Sequence, residues 1–513
     1  MDSHIALLLV GNLLTDYNAR QLFESNIVVA LMPTSAPDIS LQASSLQASP
    51  LPDSALPDSQ LPSSTAETSL APVTRIKLAE GLTEFPAELY QHADTLEHLD
   101  LSDNKLSSLP ADFGRFVALK RLFLTNNQFE HIPEVLASCQ SLTMVSFRGN
   151  QLTRFAEGSL PEGLEWLILT DNKLSQLPED FGRYRRLKKL ALSGNQLSAL
   201  PDSMAHCREL GLARLSLNRF EAFPDWLFEL PKLAWLALGA NPTTPVSNHS
   251  SIPTEDIANY LLDAELGTGA SGTIYLAHHK DGTQPVALKK FKGWLTSDGC
   301  PKDELNNALN AGLHPNLIPI VANISGLELP AMVMQLIPNT FQSLGMPPSF
   351  ATITRDTYKP ELTLSRAQII TLARQVSSAM AHLHGEHICH GDLYSHNMLV
   401  NEASMLYLGD FGAATALESL PAHQADGFKK LEVRAFGYWL DEMLGRISPE
   451  TDSDSPAADS NSPKAKSDSP AANSDSQGPK SNDALIALRE LCLMPSVGQR
   501  PDFSHISEQL HLS

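Results

Sequence analysis

The chain has 513 residues, and its 37 Lys and Arg stand against 58 Asp and Glu, a formal net charge of −21. That length admits about two to four domains with cores that need no disulfide or metal staple. The acidic balance excludes a nucleic-acid binder, which would need a basic stripe to displace counterions from phosphate.

Five scattered cysteines (Cys139, Cys207, Cys300, Cys389, Cys492) form no CxxC pair, which excludes a disulfide scaffold and a zinc cluster and points to a reducing compartment. At the start of the chain, the apolar run Ile5 to Leu14 is about half of the roughly 20 residues a spanning helix needs. Asp2 and His4 stand where a signal peptide would be positive. A cytoplasmic protein without a membrane span is expected, with Met32 as an alternative start of translation. Residues 33–72 are rich in Ser, Pro, Ala and Leu, with a worn repeat such as Leu51-Pro52-Asp53-Ser54 and Leu56-Pro57-Asp58-Ser59. Proline at this density blocks helix and sheet ladders, so 1–72 is expected to be a disordered Ser/Pro-rich region, a linker or a docking segment.

From Val73 a 23-residue repeat takes over, with units starting at Val73, Leu96, Leu119, Leu142, Leu164, Leu187, Leu210 and Leu233; the fourth is one residue short. The first, fourth and sixth positions of each unit are apolar and point inward from a short strand and its entry turn. Asparagine recurs at the ninth position (Asn104, Asn127, Asn150, Asn172, Asn195, Asn218, Asn241), where its amide can bridge the backbones of adjacent coils. One unit cannot bury its own face, so neighbours must stack. Residues 73–245 resemble a leucine-rich repeat solenoid. Its outward positions carry Arg121, Met144, Trp166, Lys189, Leu212 and Trp235 at the third place, and Phe123 and Ile168 at the fifth. Phe123, Met144, Trp166, Ile168 and Trp235 are expected to anchor a protein partner. The other reading is that this face packs against the chain's own second domain, above all near Trp235.

A linker is expected over 246–257. Beyond it, Gly267, Gly269 and Gly272 form a GxGxxG turn followed by Ile274, suited to bring backbone amides close to phosphate. Val286-Ala287-Leu288-Lys289 follows at a strand's length and places a lysine behind that loop. Ile369 to Leu383 has helical apolar spacing. Then come His390-Gly391-Asp392-Leu393-Tyr394-Ser395-His396-Asn397 and Leu408-Gly409-Asp410-Phe411-Gly412, a set of carboxylates and an amide suited to metal-assisted phosphoryl transfer. The histidines at 382, 384, 387, 390 and 396 could suggest zinc, but the order of the motifs accounts for them. The Ser/Pro/Asp-rich stretch 446–482 reads as a disordered surface insert whose serines could be phosphorylated.

Residues 258–513 resemble a eukaryotic-type protein kinase domain, which implies a bilobal fold. The expected class is thus multidomain α/β and α+β, a repeat solenoid followed by a kinase domain. The resemblance implies ATP and Mg²⁺ as cofactors. Gly267, Gly269, Gly272, Ile274, Ala287, Lys289, Met334 and Gln335 would surround the nucleotide, Met334 and Gln335 lying at gatekeeper and hinge. Lys289 would pair with Glu304, ahead of His314-Pro315-Asn316-Leu317. Asp392 would be the catalytic base, and Asn397 and Asp410 the metal ligands. Departures from the family accompany these matches: Gly391 replaces the arginine before the base, and Tyr394 replaces the lysine two residues after it. No Ala-Pro-Glu follows Asp410-Phe411-Gly412, and Arg500, in an RPxF-like motif, loses its usual glutamate partner. About twenty residues separate Gly412 from Glu432, which stands where the family's next helix carries aspartate. The expected activity is transfer of the ATP γ-phosphate to serine or threonine of a protein substrate. Alternatives are a nucleotide-binding pseudokinase scaffold and a small-molecule kinase of the aminoglycoside phosphotransferase type.

Overall fold

The computed structural model describes residues 72–448, except 270, 283 and 297, and residues 481–512. The expectations for 1–72 and for the insert 446–482 therefore lie outside the described residues, apart from 72, 446–448 and 481–482.

Eight three-residue strands run in parallel order, one per repeat: β1 (Arg75–Lys77), β2 (His98–Asp100), β3 (Arg121–Phe123), β4 (Met144–Ser146), β5 (Trp166–Ile168), β6 (Lys189–Ala191), β7 (Leu212–Arg214) and β8 (Trp235–Ala237). Register is kept by the repeat itself, Trp166 opposite Lys189 and Leu212 opposite Trp235. Leu96, Leu99 and Leu101, the inward positions of one unit, are wholly buried. Each ninth-position asparagine works as a backbone bridge. Asn172 donates to Phe147 O at 2.9 Å and Leu169 O at 3.0 Å, and its Oδ1 accepts from Leu152 N at 2.9 Å. The residue just before it is left-handed in unit after unit (Asp103, Asn126, Asp171, Leu217 and Ala240, φ 52–60°), a conformation that costs an L-residue energy and turns the amide inward.

The second half of the chain is bilobal. Its first lobe is a six-stranded sheet built from β9 (Thr254–Asp256), β10 (Tyr260–Thr268), β11 (Gly272–His279), β12 (Pro285–Phe291), β13 (Ile320–Ser325) and β14 (Ala331–Gln335), in the order β10-β11-β12-β14-β13-β9. β9 lies in the segment expected to be a linker and pairs in parallel with β13. Counting the single turn Trp226–Glu229 of the last repeats as α1, the helices continue with α2 (Pro301–Asn310), α3 (Arg366–Gly385), α4 (Ala422–Leu444), α5 (Ser481–Cys492) and α6 (Phe503–Leu512). Proline at the first position of α2 forfeits no helical hydrogen bond. α3 starts at a capping box formed by Ser365 and Gln368. Short strands β15 (Gln342–Ser343), β17 (Met398–Val400) and β18 (Leu406–Leu408) form one small sheet, and β16 (Ile388–Cys389) and β19 (Thr415–Ala416) another. No described helix is long and apolar enough to cross a membrane.

The two halves are not separated. The repeat core continues into Cys389, Leu417, Leu420, Phe428 and Leu431, so α4 and its approach close the solenoid's last coil as a capping unit would. In return, Leu212, Ala234 and Trp235 belong to the core of the bilobal half. The concave face expected to take a protein partner meets the chain's own second half. The Trp235 ring stacks on Tyr394 at 4.6 Å and its Nε1 donates to Leu393 O at 3.1 Å. Phe350 seats among His98, Phe123 and Trp166 at 5.9–6.1 Å, with Arg121 over its ring. Met144 is buried, and Ile168 half-buried. On the flank, the buried Arg434 of α4 donates to Leu230 O and Leu233 O at 2.8 Å.

Candidate active site

The cleft between the lobes is lined by Ile274, Lys289, Glu304, Ile318, Met332, Met334, Asp410 and Phe411 among others. The glycine turn that roofs it is closed by Gly269 N donating to Gly272 O at 2.8 Å. Gly272 is required by space, since a Cβ there would lie 2.5 Å from Lys290 O. Ala287, wholly buried, pairs across the sheet with Met334, which places Gln335 at the exposed strand end beside the cleft.

β12 points Lys289 inward and α2 brings Glu304 to it, so the two form a buried ion pair. Burial opposes the Lys289 charge, but Glu304 and Asp410 outweigh it and its pKa is raised. On the floor, His390 is fully buried and holds two segments together. Its Nε2 lies 2.9 Å from Gly409 O, and Asp392 N approaches its Nδ1 at 3.3 Å. Burial lowers the His390 pKa and favours the neutral ring. Asn397 Nδ2 donates to both Asp392 O and Asp392 Oδ2 at 2.9 Å. Asp410 is left-handed (φ 60°), and its Oδ1 accepts from Gly412 N at 3.0 Å. Strain of this kind needs surroundings that over-determine it, here the packed Phe411 and His390 rings 5.4 Å apart.

Among the described residues of this site, the buried oxygens Glu304 Oε2, Asn397 Oδ1 and Asp410 Oδ2 have no hydrogen-bond partner. Burial pushes the Asp410 carboxyl up to about 7, with Glu304 adding and Lys289 opposing. The orphaned oxygens of Asn397 and Asp410, the latter on a carboxyl that burial keeps from ionising, are ligand atoms of the kind a divalent cation takes, and a bound cation would favour the ionised form. The structure thus brings Lys289, Glu304, Asp392, Asn397 and Asp410 into one site below Gly267, Gly269, Gly272 and Ile274. Elsewhere, His384, Cys389 and Glu432 offer ligand atoms within 4.8 Å of one another. Their atoms are already engaged: Glu432 accepts from Gly391 N at 2.6 Å and lies 2.7 Å from His384 Nε2. Glu432 therefore ties α4 to the loop carrying Asp392. Arg500, lacking a glutamate, donates to three carbonyls, of Met494, Lys430 and Pro495.

One residue at this site escaped sequence reasoning. Arg214, at the end of β7, pairs with Asp392 Oδ1 and with Asp298 Oδ1. Gly391 is shaped for the same approach. It is left-handed (φ 73°), and a Cβ would lie 2.4 Å from Ala413 O and 2.7 Å from Leu236 O of the solenoid. Only residues 413–421 separate Gly412 from α4, and β8 runs beside them, with Leu238 N donating to Thr415 Oγ1 at 3.0 Å.

A glycine-roofed cleft with a lysine–carboxylate pair and a carboxylate-rich floor defines a phosphotransferase class of site. Residues 260–455 match the model of the protein kinase domain family, and residues 80–129 and 94–152 match leucine-rich repeats. The chain therefore carries a leucine-rich repeat region followed by a protein kinase domain, a domain that uses ATP and generally a divalent metal ion. It is 27% identical over 158 residues to a probable cyclin-dependent serine/threonine-protein kinase of Dictyostelium discoideum (31% of this chain, 23% of that one). It is 30% identical over 151 residues to the serine/threonine-protein kinase PITSLRE of Drosophila melanogaster (28% and 15%). It is also 36% identical over 115 residues to leucine-rich repeat and calponin homology domain-containing protein 1 of Mus musculus (22% and 16%). The chain spans less than a quarter of the length of each of these relatives.

Proposed function

We propose that the chain is a cytoplasmic protein kinase that transfers the γ-phosphate of ATP, with Mg²⁺, to serine or threonine hydroxyls of a protein substrate. The observation that carries this reading is the convergence of the Lys289–Glu304 pair, Asp392 and the two unpartnered oxygens of Asn397 and Asp410 on one cleft. In this reading the backbone amides around Gly267, Gly269 and Gly272 lie over the phosphates, while Ile274, Ala287, Met334 and Gln335 border the base of the nucleotide. Lys289, held by Glu304, positions the phosphates. Asn397 and Asp410 hold the metal ion, which when bound neutralises charge developing on the transferred group. Asp392 orients the acceptor hydroxyl and takes its proton. Its carboxylate offers about four lone-pair sites, so the bonds from Asn397 and Arg214 leave capacity for that hydroxyl. The free, mostly buried thiols accord with a reducing cytoplasm.

The test is transfer from labelled ATP to a basic protein in the presence of Mg²⁺, alongside Asp392→Asn. Loss of a positioned base is expected to lower turnover by roughly 10²–10⁴-fold. Transfer indifferent to Asp392 would overturn the reading. Absence of transfer, with melting temperature still raised by nucleotide, would make the domain a binding scaffold, and transfer to an aminoglycoside would make it a small-molecule kinase.

A further inference from the structure

We propose that Arg214, a solenoid residue, is a positioning residue of the phosphotransfer site: it orients and holds the carboxylate of Asp392, so that the site is complete only with the solenoid in place. This rests on the reading of Asp392 as the base.

The repeat itself gives no reason for an arginine here. The fifth position of successive units carries Lys77, Asp100, Phe123, Ser146, Ile168, Ala191, Arg214 and Ala237. In the sheet register, Arg214 stands between Ala191 and Ala237, whose small side chains leave its long one room to cross to the other domain. Arg214 is 4% exposed. Burying a guanidinium costs several kcal/mol unless its donors are met by well-placed acceptors. Here they are met, and by the catalytic half of the molecule. Nε donates to Asp298 Oδ1 at 2.6 Å, Nη1 donates to Gly391 O at 3.2 Å, and Nη2 pairs with Asp392 Oδ1. The fork thus grips both the backbone and the side chain of the loop that carries the base, and anchors them to the segment leading into α2. Asn397 fixes the other carboxylate oxygen at 2.9 Å, so the two contacts together leave the carboxylate no freedom to rotate.

The same contact could be a lock that withholds the base. The rest of the site argues against that. With Arg214 bound, the Lys289–Glu304 pair is closed, Phe411 is packed, and Asn397 Oδ1 and Asp410 Oδ2 still lack a partner. A site whose other parts are assembled while Arg214 grips Asp392 is one that Arg214 helps to build.

The experiment compares the full-length protein with Arg214→Met and Arg214→Lys, reading kcat and the KM for ATP in the Asp392-dependent transfer assay, with melting temperatures alongside. Arg214→Met is expected to lower kcat roughly 10–100-fold, as loss of a supporting contact does, with the KM for ATP within about 3-fold of wild type. Arg214→Lys, which keeps charge but not the fork, falls between. A kcat equal to or above wild type in either variant overturns the assignment, and a rise makes the contact a lock. If Arg214→Met does not fold, Arg214→Lys decides alone by the same criterion. A loss that appears only in the KM for ATP also overturns it. Wild-type protein without Asp392-dependent transfer removes the proposed function and this assignment together, whereas transfer by Arg214→Met at the wild-type kcat or above removes the assignment alone.

Discussion

The solenoid and the catalytic half depart from their own patterns in different ways. The solenoid holds to its rule: apolar first, fourth and sixth positions, an asparagine bridge and a left-handed residue before it, through successive units. The catalytic half keeps the residues that line its cleft and departs at Gly391, at Tyr394 and in the short segment 413–421. Each of these departures faces the solenoid: Gly391 against Leu236 O, Tyr394 against the Trp235 ring, and Thr415 against Leu238 N. A departure that makes little sense within one domain becomes a contact with the other. The lesson is that the site is built from two domains, and that these three departures from the kinase pattern mark where they meet. Glu432 and Arg500, by contrast, bond within the catalytic half.

That contrast can be broken most sharply at the shared core. Trp235→Ala removes two ring stacks, on Tyr394 and on Tyr438 at 5.6 Å, and strands Leu393 O. A loss of about 3–5 kcal/mol is expected for a buried ring of this size, read as a single cooperative unfolding transition moved to lower denaturant. Two separate transitions in the wild-type protein would show that the halves are independent after all. Within the solenoid, Asn172→Ala leaves Leu152 N without its acceptor, whereas Phe147 O and Leu169 O still accept from Asn150 and Asn195 at 2.9 Å. About 1–3 kcal/mol is expected for a buried group that finds no water, so the variant tests whether the repeat rule carries as much stability as the interface.

A third measurement sharpens the chemistry of the catalytic half. The folded Asp410 carboxyl sits at about 7, above its ordinary 3.8. Ionising it therefore costs the cation-free protein stability as pH rises between those values. A divalent cation selects the ionised form, so the gain in melting temperature from Mg²⁺ with a non-hydrolysable ATP analogue is expected to grow between about pH 6 and 8, where each pH unit below the carboxyl's value is worth roughly 1.4 kcal/mol. Asp410→Asn should flatten that dependence, and an unchanged slope would place the cation elsewhere. The smallest effect belongs to the solenoid's solvated flank. Lys232 pairs with Glu209 at 2.5 Å with both side chains around half exposed, and Lys232→Ala is expected to cost under about 1 kcal/mol.

Much of this was legible in one dimension. A repeat is a translation along the chain, so its period could be read off the sequence, and the asparagine bridges followed from their fixed place. The order of the glycine turn, Lys289, Asp392 and Asp410 pointed to phosphoryl transfer because that chemistry needs those groups in a cleft. The packing of the face near Trp235 against the second domain was one of the two readings the repeat allowed, and what escaped was the polar join between the halves. Nothing in the spacing ties Arg214 to Asp392, and the fifth repeat position also carries Phe123 and Ile168, which drew attention to apolar anchors for a foreign partner. The signal available was the pairing of an isolated arginine between Ala191 and Ala237 with a catalytic loop altered at 391 and 394. β9 escaped for a related reason. A strand that completes a sheet edge in parallel has no short-range turn to announce it.

The contact between Arg214 and Asp392 spans 178 residues of chain. During synthesis at about 5–20 residues per second, the solenoid's inner face must wait roughly 10–35 s for the catalytic loop that covers it. Throughout that interval Trp235, Leu212 and an unpaired guanidinium stand open on a nascent chain whose last coil has no cap. The step most exposed to error in making this protein is therefore not the folding of either half but the delay between them.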